Sequence, residues 1–437
     1  MEDPRLSRMY AALWRRKLAE RWHRTWQAAV KRSGLLVTVV VALILLAIAV
    51  GLKERGRGKL TKLKTELGVQ NVRPQEAVAV RPGGQDPIVL QHAQMADMGG
   101  PELVSATLLP GRGMNLLQIQ AYIPRKGTVN LLASPSLEDA AKLMTGTGED
   151  ANGQASLSMG APIEAPWADR IWGGAQDGDT VADWRGHPFH LPGEAGLSNG
   201  GLLLNRHADS VKTTVMPDGG QAQAIYDAGD FDGHWISRTV VTTTVQLNSR
   251  ALEMSISAHN IGDQAEPVGI GWRPKFAILS GDRSQTTLKL PTALHVEVND
   301  RSNGMPTGRL LPVEGTPYDF TARDGARLGE MSLNDSFVHL KQGLMDSGPI
   351  AELRDPRSGY GIRITILSPA IKAIHVDAPA NSSFISIDPQ FNYADPFGRE
   401  WPKSEDTGMV VLEPGQTVQW KIRLELFALN NNASPHM

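Results

Sequence analysis

The chain has 437 residues, with 44 lysines and arginines against 46 aspartates and glutamates, 44 glycines, 28 prolines and no cysteine. Near-neutral charge removes the basic footprint expected of a nucleic-acid binder. The lack of cysteine excludes disulfides, a thiolate nucleophile and a cysteine-ligated metal.

Residues 5–32 read as a helix in which Tyr10, Trp14, Leu18, Trp22 and Trp26 recur every four positions, with Arg15, Arg16, Lys17, Arg21 and Arg24 between them. Four-residue spacing drifts slowly round a helix, giving an oblique aromatic stripe with a basic complement. Such an amphipathic segment, residues 1–33, either lies on an anionic membrane surface or packs against a membrane-protein partner.

Residues 34–52 carry no charge and are just long enough to cross a ~30 Å hydrocarbon core. A signal peptide would have a shorter apolar run and a small-residue cleavage site, which residues 53–64 lack. The segment therefore reads as an uncleaved transmembrane helix. Nine lysines and arginines precede it and six follow within residues 53–64. The positive-inside rule then predicts a single-pass inner-membrane protein, its N-terminus cytoplasmic and its main domain periplasmic. Residues 53–87 read as a stalk, basic at first and then interrupted by Pro74, Pro82, Gly83, Gly84 and Pro87.

From residue 88 to 428 short alternating runs are separated by turn clusters, which predicts an all-β domain. Residues 104–109, 116–123 and 128–132 are early strands, and the Thr-, Gly- and Asp-rich stretch 139–160 is a loop. A strand runs from His234 to Leu247. In the next, over 252–259, Leu252, Met254, Ile256 and Ala258 alternate with polar residues, the signature of one buried face. Ile362, Ile364 and Ile366 mark another, and Val418, Trp420, Ile422, Leu424 and Leu426 a last one that closes the fold. Residues 429–437 are a polar tail expected to fray.

The stretch 267–278, PVGIGWRPKFAI, at the end of the 234–259 hairpin resembles the aldose 1-epimerase family of galactose mutarotase-like sugar isomerases. Other pieces resemble it in the same order: LLPGRGMNLLQIQ at 108–120, APWADRI at 165–171, GHPFHLP at 186–192, residues 200–206, 316–319 with Leu333-Asn334-Asp335, and 384–397. The resemblance covers roughly residues 100–428 and implies a many-stranded β-supersandwich with sugar in a cleft on a concave face.

Interconverting anomers needs a base for the C1 hydroxyl and an acid for the ring oxygen, each with a pKa near the working pH. The resemblance assigns these roles to a glutamate and a histidine, with a second histidine, an arginine and an aspartate binding hydroxyls. Arg273 stands where the acid histidine belongs, and a guanidinium does not exchange protons at neutral pH. Asp388 stands in the glutamate's place, one methylene short, and a displacement of ~1 Å can cost on the order of 10²-fold in rate. Gly200 takes the place of the second histidine. Arg170 matches the family arginine, Asp335 falls near the binding aspartate, and His207 is either a surface or structural histidine or a replacement acid folded back into the site.

The resemblance thus implies Asp388 as the remaining catalytic carboxylate, and Arg170, Arg273, Trp272, Asp335 and Gln390 as carbohydrate ligands. An Arg273–Asp388 ion pair would keep Asp388 ionised, with a low pKa. Trp272 and Trp172 are either stacking platforms or core side chains. His187, His190 and His207 lack metal-motif spacing, and no glycine-rich loop opens a helix, so neither metal nor cofactor is expected. The reading is a membrane-anchored carbohydrate-binding pseudoenzyme of the envelope. The alternatives are an active aldose 1-epimerase and a structural subunit of an envelope complex.

Overall fold

A computed structural model describes residues 80–92, 99–299 and 304–429. The expected helix, membrane span, most of the stalk and the polar tail lie outside them. Among the described residues no helix is long and apolar enough to cross a membrane. The unit Ala79–Met437 is compact.

Its body is all-β. A nine-stranded antiparallel sheet runs in the order Ser210–Met216, Gly219–Gly229, Thr239–Leu247, Ala251–Asn260, Thr417–Ala428, Tyr360–Ile366, Ile350–Asp355, Thr287–Lys289 and Ala326–Arg327. The long strands form where expected because every second residue is apolar; Thr239–Leu247 alternates buried and half-buried throughout. The strand expected from His234 starts only at Thr239, because the His234 and Trp235 N–H groups bond back to the Phe231 and Asp230 carbonyls in a turn.

A second, eight-stranded sheet contains Pro306–Pro312, Leu294–Val298, Leu333–Val338, Ala373–Ala378, Phe384–Gln390, Gly271–Trp272 and Ile163–Glu164 in that order, with Lys275–Ala277 also beside Phe384–Gln390. The two sheets share one core, in which Ile256, Ile364, Trp420 and Ile422 of the first cluster with Ile374, Val376, Ile385 and Ile387 of the second. Each such side chain contributes about 1.5–3 kcal/mol by leaving water. Glu102–Leu109 and Asn115–Ile123 pair in a further four-stranded sheet.

The stretch 139–160, expected as loop, holds two short helices. Ser136 caps Leu137–Leu143 by accepting the Asp139 N–H, and Ala155–Ser158 follows. The buried Arg112 guanidinium organises this region, donating to both Asp150 carboxylate oxygens at 2.9 Å, to Ser156 and to Asn205. Gly113 beside it has φ 60°, and a Cβ there would lie 2.3 Å from the Leu203 carbonyl, so only glycine fits.

Candidate functional site

Three neighbouring strands of the second sheet set up one polar face. Cross-strand register pairs Asn334 with Asp377 and Ser336 with His375, then Asp377 with Ser386 and His375 with Asp388. Lys275 continues the row opposite Ser386. Because side chains alternate across a sheet, these residues share one side, while Phe337, Ile374, Val376, Ile385 and Ile387 point into the core from the other.

Alternation also corrects one expected ligand. Asp335 lies on the opposite face from Asn334 and is bound there by His295 at 2.8 Å; His295 in turn stacks on Tyr318 with centroids 3.9 Å apart. Asn334 is the residue that reaches the polar face, accepting from Arg170 Nη2 at 3.0 Å. Trp272 is corrected likewise: it is fully buried, donates its indole N–H to the Ala161 carbonyl, and packs edge-on against Phe276. It is a core side chain. Trp172 is half-buried, its backbone N–H held by the Asp395 carboxylate.

Arg273 enters from the end of Gly271–Trp272. Its Nε lies 3.0 Å from Glu164 and 3.4 Å from Asp388, and its Nη2 donates to Asp169 at 3.3 Å. Asp169, at φ 59°, is also 3.6 Å from Arg170 Nε and 3.6 Å from His375 Nδ1. Arg170 and Arg273, expected as carbohydrate ligands, and Asp388, expected as the catalytic carboxylate, therefore lie together. Gln390 is fully buried at the edge of the same strand, its amide N–H donated to the Asn392 carbonyl. His207 instead lines a separate cleft of about 680 Å³ with Arg81, Met144, Asn205 and Tyr226.

The electrostatics run against the low pKa expected for Asp388. Burial dominates and raises its carboxyl well above the ordinary range, despite Arg273 and a hydrogen bond from Ser386 at 2.5 Å. One guanidinium shared among three buried carboxylates does not offset the desolvation of all three. Burial raises Glu164 as well. At Asp169 burial is outweighed by His375, Arg170 and Arg273, which hold its carboxyl below the usual value. Burial lowers both His375 and the half-buried Lys275, whose ammonium sits 5.1 Å from the Phe384 ring centroid.

Five members of the site escaped the sequence reading. Glu164 immediately precedes the quoted APWADRI segment and Asp169 lies within it. His375 and Asp377 sit two apart in the apolar strand IHVDA, a period-two polar signal that marks a face. Asn199 stands across from Arg170 in a two-stranded pairing, its Oδ1 buried without a hydrogen-bond partner.

A family model described as aldose 1-epimerase matches residues 145–425. A galactose mutarotase-like protein from Clostridium acetobutylicum superposes with a TM-score of 0.62 at 15% identity, covering 78% of this chain and 98% of its own. An aldose epimerase homologue from C. elegans gives 0.56 at 19% identity, covering 78% and 100%. A galactose 1-epimerase from Lactobacillus acidophilus gives 0.55 at 14% identity, covering 79% and 99%. At these identities the likeness is one of fold. No curated protein matches the sequence.

Proposed function

The chain belongs to the aldose 1-epimerase family, and from that premise we propose that it binds carbohydrate on the polar face of the eight-stranded sheet with little or no epimerase activity. The carrying observation is a set of buried polar atoms without an aligned hydrogen-bond partner: Glu164 Oε1, Asp169 Oδ2, Arg170 Nη1, Arg273 Nε and Asp388 Oδ2. Their residues are joined by contacts of 3.0–3.6 Å. A sugar hydroxyl, both donor and acceptor, can satisfy either kind. Weak catalysis follows from Arg273, which exchanges no proton, and from Asp388, one methylene shorter than the glutamate whose place it takes.

A second reading, an active epimerase with rearranged groups, is favoured by one observation: His375 stands beside Asp388 in register. The protein is further proposed to be anchored in the inner membrane by residues 34–52, with its sugar-binding domain periplasmic. The uncharged span and the excess of basic residues before it support this. Calorimetric titration of the full-length protein in detergent with galactose, glucose and an oligosaccharide tests the binding. Saturable heat that falls at least tenfold in affinity with Arg170→Ala is expected; no binding of any of the three would sink the proposal.

A further inference from the structure

The edges of the two large sheets are unequal. The nine-stranded sheet ends on one side in the two-residue strand Ala326–Arg327, and the eight-stranded sheet ends in the two-residue Ile163–Glu164 and in Pro306–Pro312, bracketed by prolines. Short strands and prolines are common means of blocking strand addition. The remaining edge, Ser210–Met216, has neither. It pairs with its inner neighbour through seven consecutive residues without a bulge, contains no proline, and carries a single charge, Lys212.

Its side chains are also bare where they should be covered. Val211, Thr213 and Val215 stand in register beside Ala224, Ala222 and Gly220, the buried side of the neighbouring strand. Yet Val211 is 43% and Val215 92% exposed. The apolar side of the sheet thus continues past the layer that covers it, along a strand whose outer edge meets no other strand among the described residues.

We propose that this edge is a homodimer interface, in which Ser210–Met216 pairs antiparallel with the same strand of a second copy about a two-fold axis at Thr213. This register pairs all seven residues. It sets Val211 against the partner's Val215 on the apolar side and Lys212 against the partner's Thr214 on the other, so no like charges are directly opposed. Centring one residue earlier would set Lys212 against itself. A two-fold contact uses the same patch on both copies and closes, giving one continuous sheet through the dimer. Seven paired residues a side bury less than the ~1,200–2,000 Å² of a standard interface, so dimerisation is concentration-dependent.

The absence of native cysteine makes crosslinking a direct test. Directly opposed strand residues have Cα atoms ~4.5–5.5 Å apart, within the range of a disulfide. Thr213→Cys in the full-length chain, oxidised with copper phenanthroline in membranes, should yield a species of twice the 47.3 kDa monomer on non-reducing gels. Asn381→Cys, an exposed turn residue, is the control and should stay monomeric. Adding Val215→Lys to Thr213→Cys should reduce the crosslink at least fivefold. Sedimentation equilibrium of the unmodified protein in detergent should show reversible dimerisation that Val215→Lys weakens. Crosslinking no greater than the control, adducts only to a different protein, or a monomer at all concentrations would each overturn the proposal.

Discussion

His375 and Asp388 are cross-strand neighbours on the polar face of the sheet, and burial pushes both towards their neutral forms, the imidazole by lowering its proton affinity and the carboxyl by raising it. Shifts in those directions favour the imidazole as base and the carboxyl as acid. That is the reverse of the assignment the family resemblance implies, in which the carboxylate takes the proton and the histidine gives it.

The first prediction separates a disarmed site from a reversed one. The unmodified protein should scarcely accelerate the optical-rotation change of freshly dissolved galactose or glucose. Arg273→His combined with Asp388→Glu should raise the rate above the parent by restoring an exchangeable acid and a longer base. A parent rate typical of enzymes, ~1–10³ s⁻¹, lost in His375→Ala, would establish the reversed pair instead.

Glu266 gives a pH-dependent stability prediction away from the site. Burial pushes its carboxyl up to about 7, against a hydrogen bond from Thr239 at 2.7 Å. The folded state therefore holds a proton that the unfolded chain has already released, and stability falls as pH rises from about 4.5 to about 7. Glu266→Gln keeps the Thr239 acceptor and removes this loss. It should stabilise the protein at pH 8 by on the order of 3 kcal/mol and have little effect at pH 4, measured by urea denaturation.

Arg112 should behave in the opposite way. Replacing it with alanine leaves the buried Asp150 without its bidentate partner, and breaking a buried pair on one side costs about 3–5 kcal/mol. Hydrogen exchange should show faster opening of residues 145–158, while the sheet core keeps its protection. Uniform loss of protection across the core would contradict a local role.

The proposed orientation predicts that a reporter active only in the cytoplasm, fused to the C-terminus, gives no signal. A bright reporter would place the domain on the other side of the membrane.

Long strands such as Ala251–Asn260 were legible because one residue in two is apolar, a property local to the chain. The short helix Ala155–Ser158 was not, since Arg112, distant in sequence, holds Asp150 and Ser156 beside it. In the site, residues in quoted motifs, Arg170, Arg273 and Asp388, could be assembled in advance. Asp335 was misassigned because a motif match fixes position only to within a residue, while a one-residue shift in a strand turns a side chain to the other face. The raised carboxyl of Asp388 was invisible for a different reason: it comes first from burial and then from the neighbouring Glu164 and Asp377, surroundings that only the folded sheet creates.

Thr417–Ala428 lies in the middle of the nine-stranded sheet, bonded on one side to Ala251–Asn260 and on the other to Tyr360–Ile366. Until it arrives, each of these strands presents an open edge, and the pairings that close them span up to about 170 residues of chain, as Glu253 to Arg423 illustrates. Non-local pairing of this kind slows folding, and unpaired edges invite aggregation in the interval. A chain cut before Thr417 should therefore not fold as a smaller version of the domain. The last long strand acts as the bolt of the assembly, and solubility during folding rests on how quickly it is thrown.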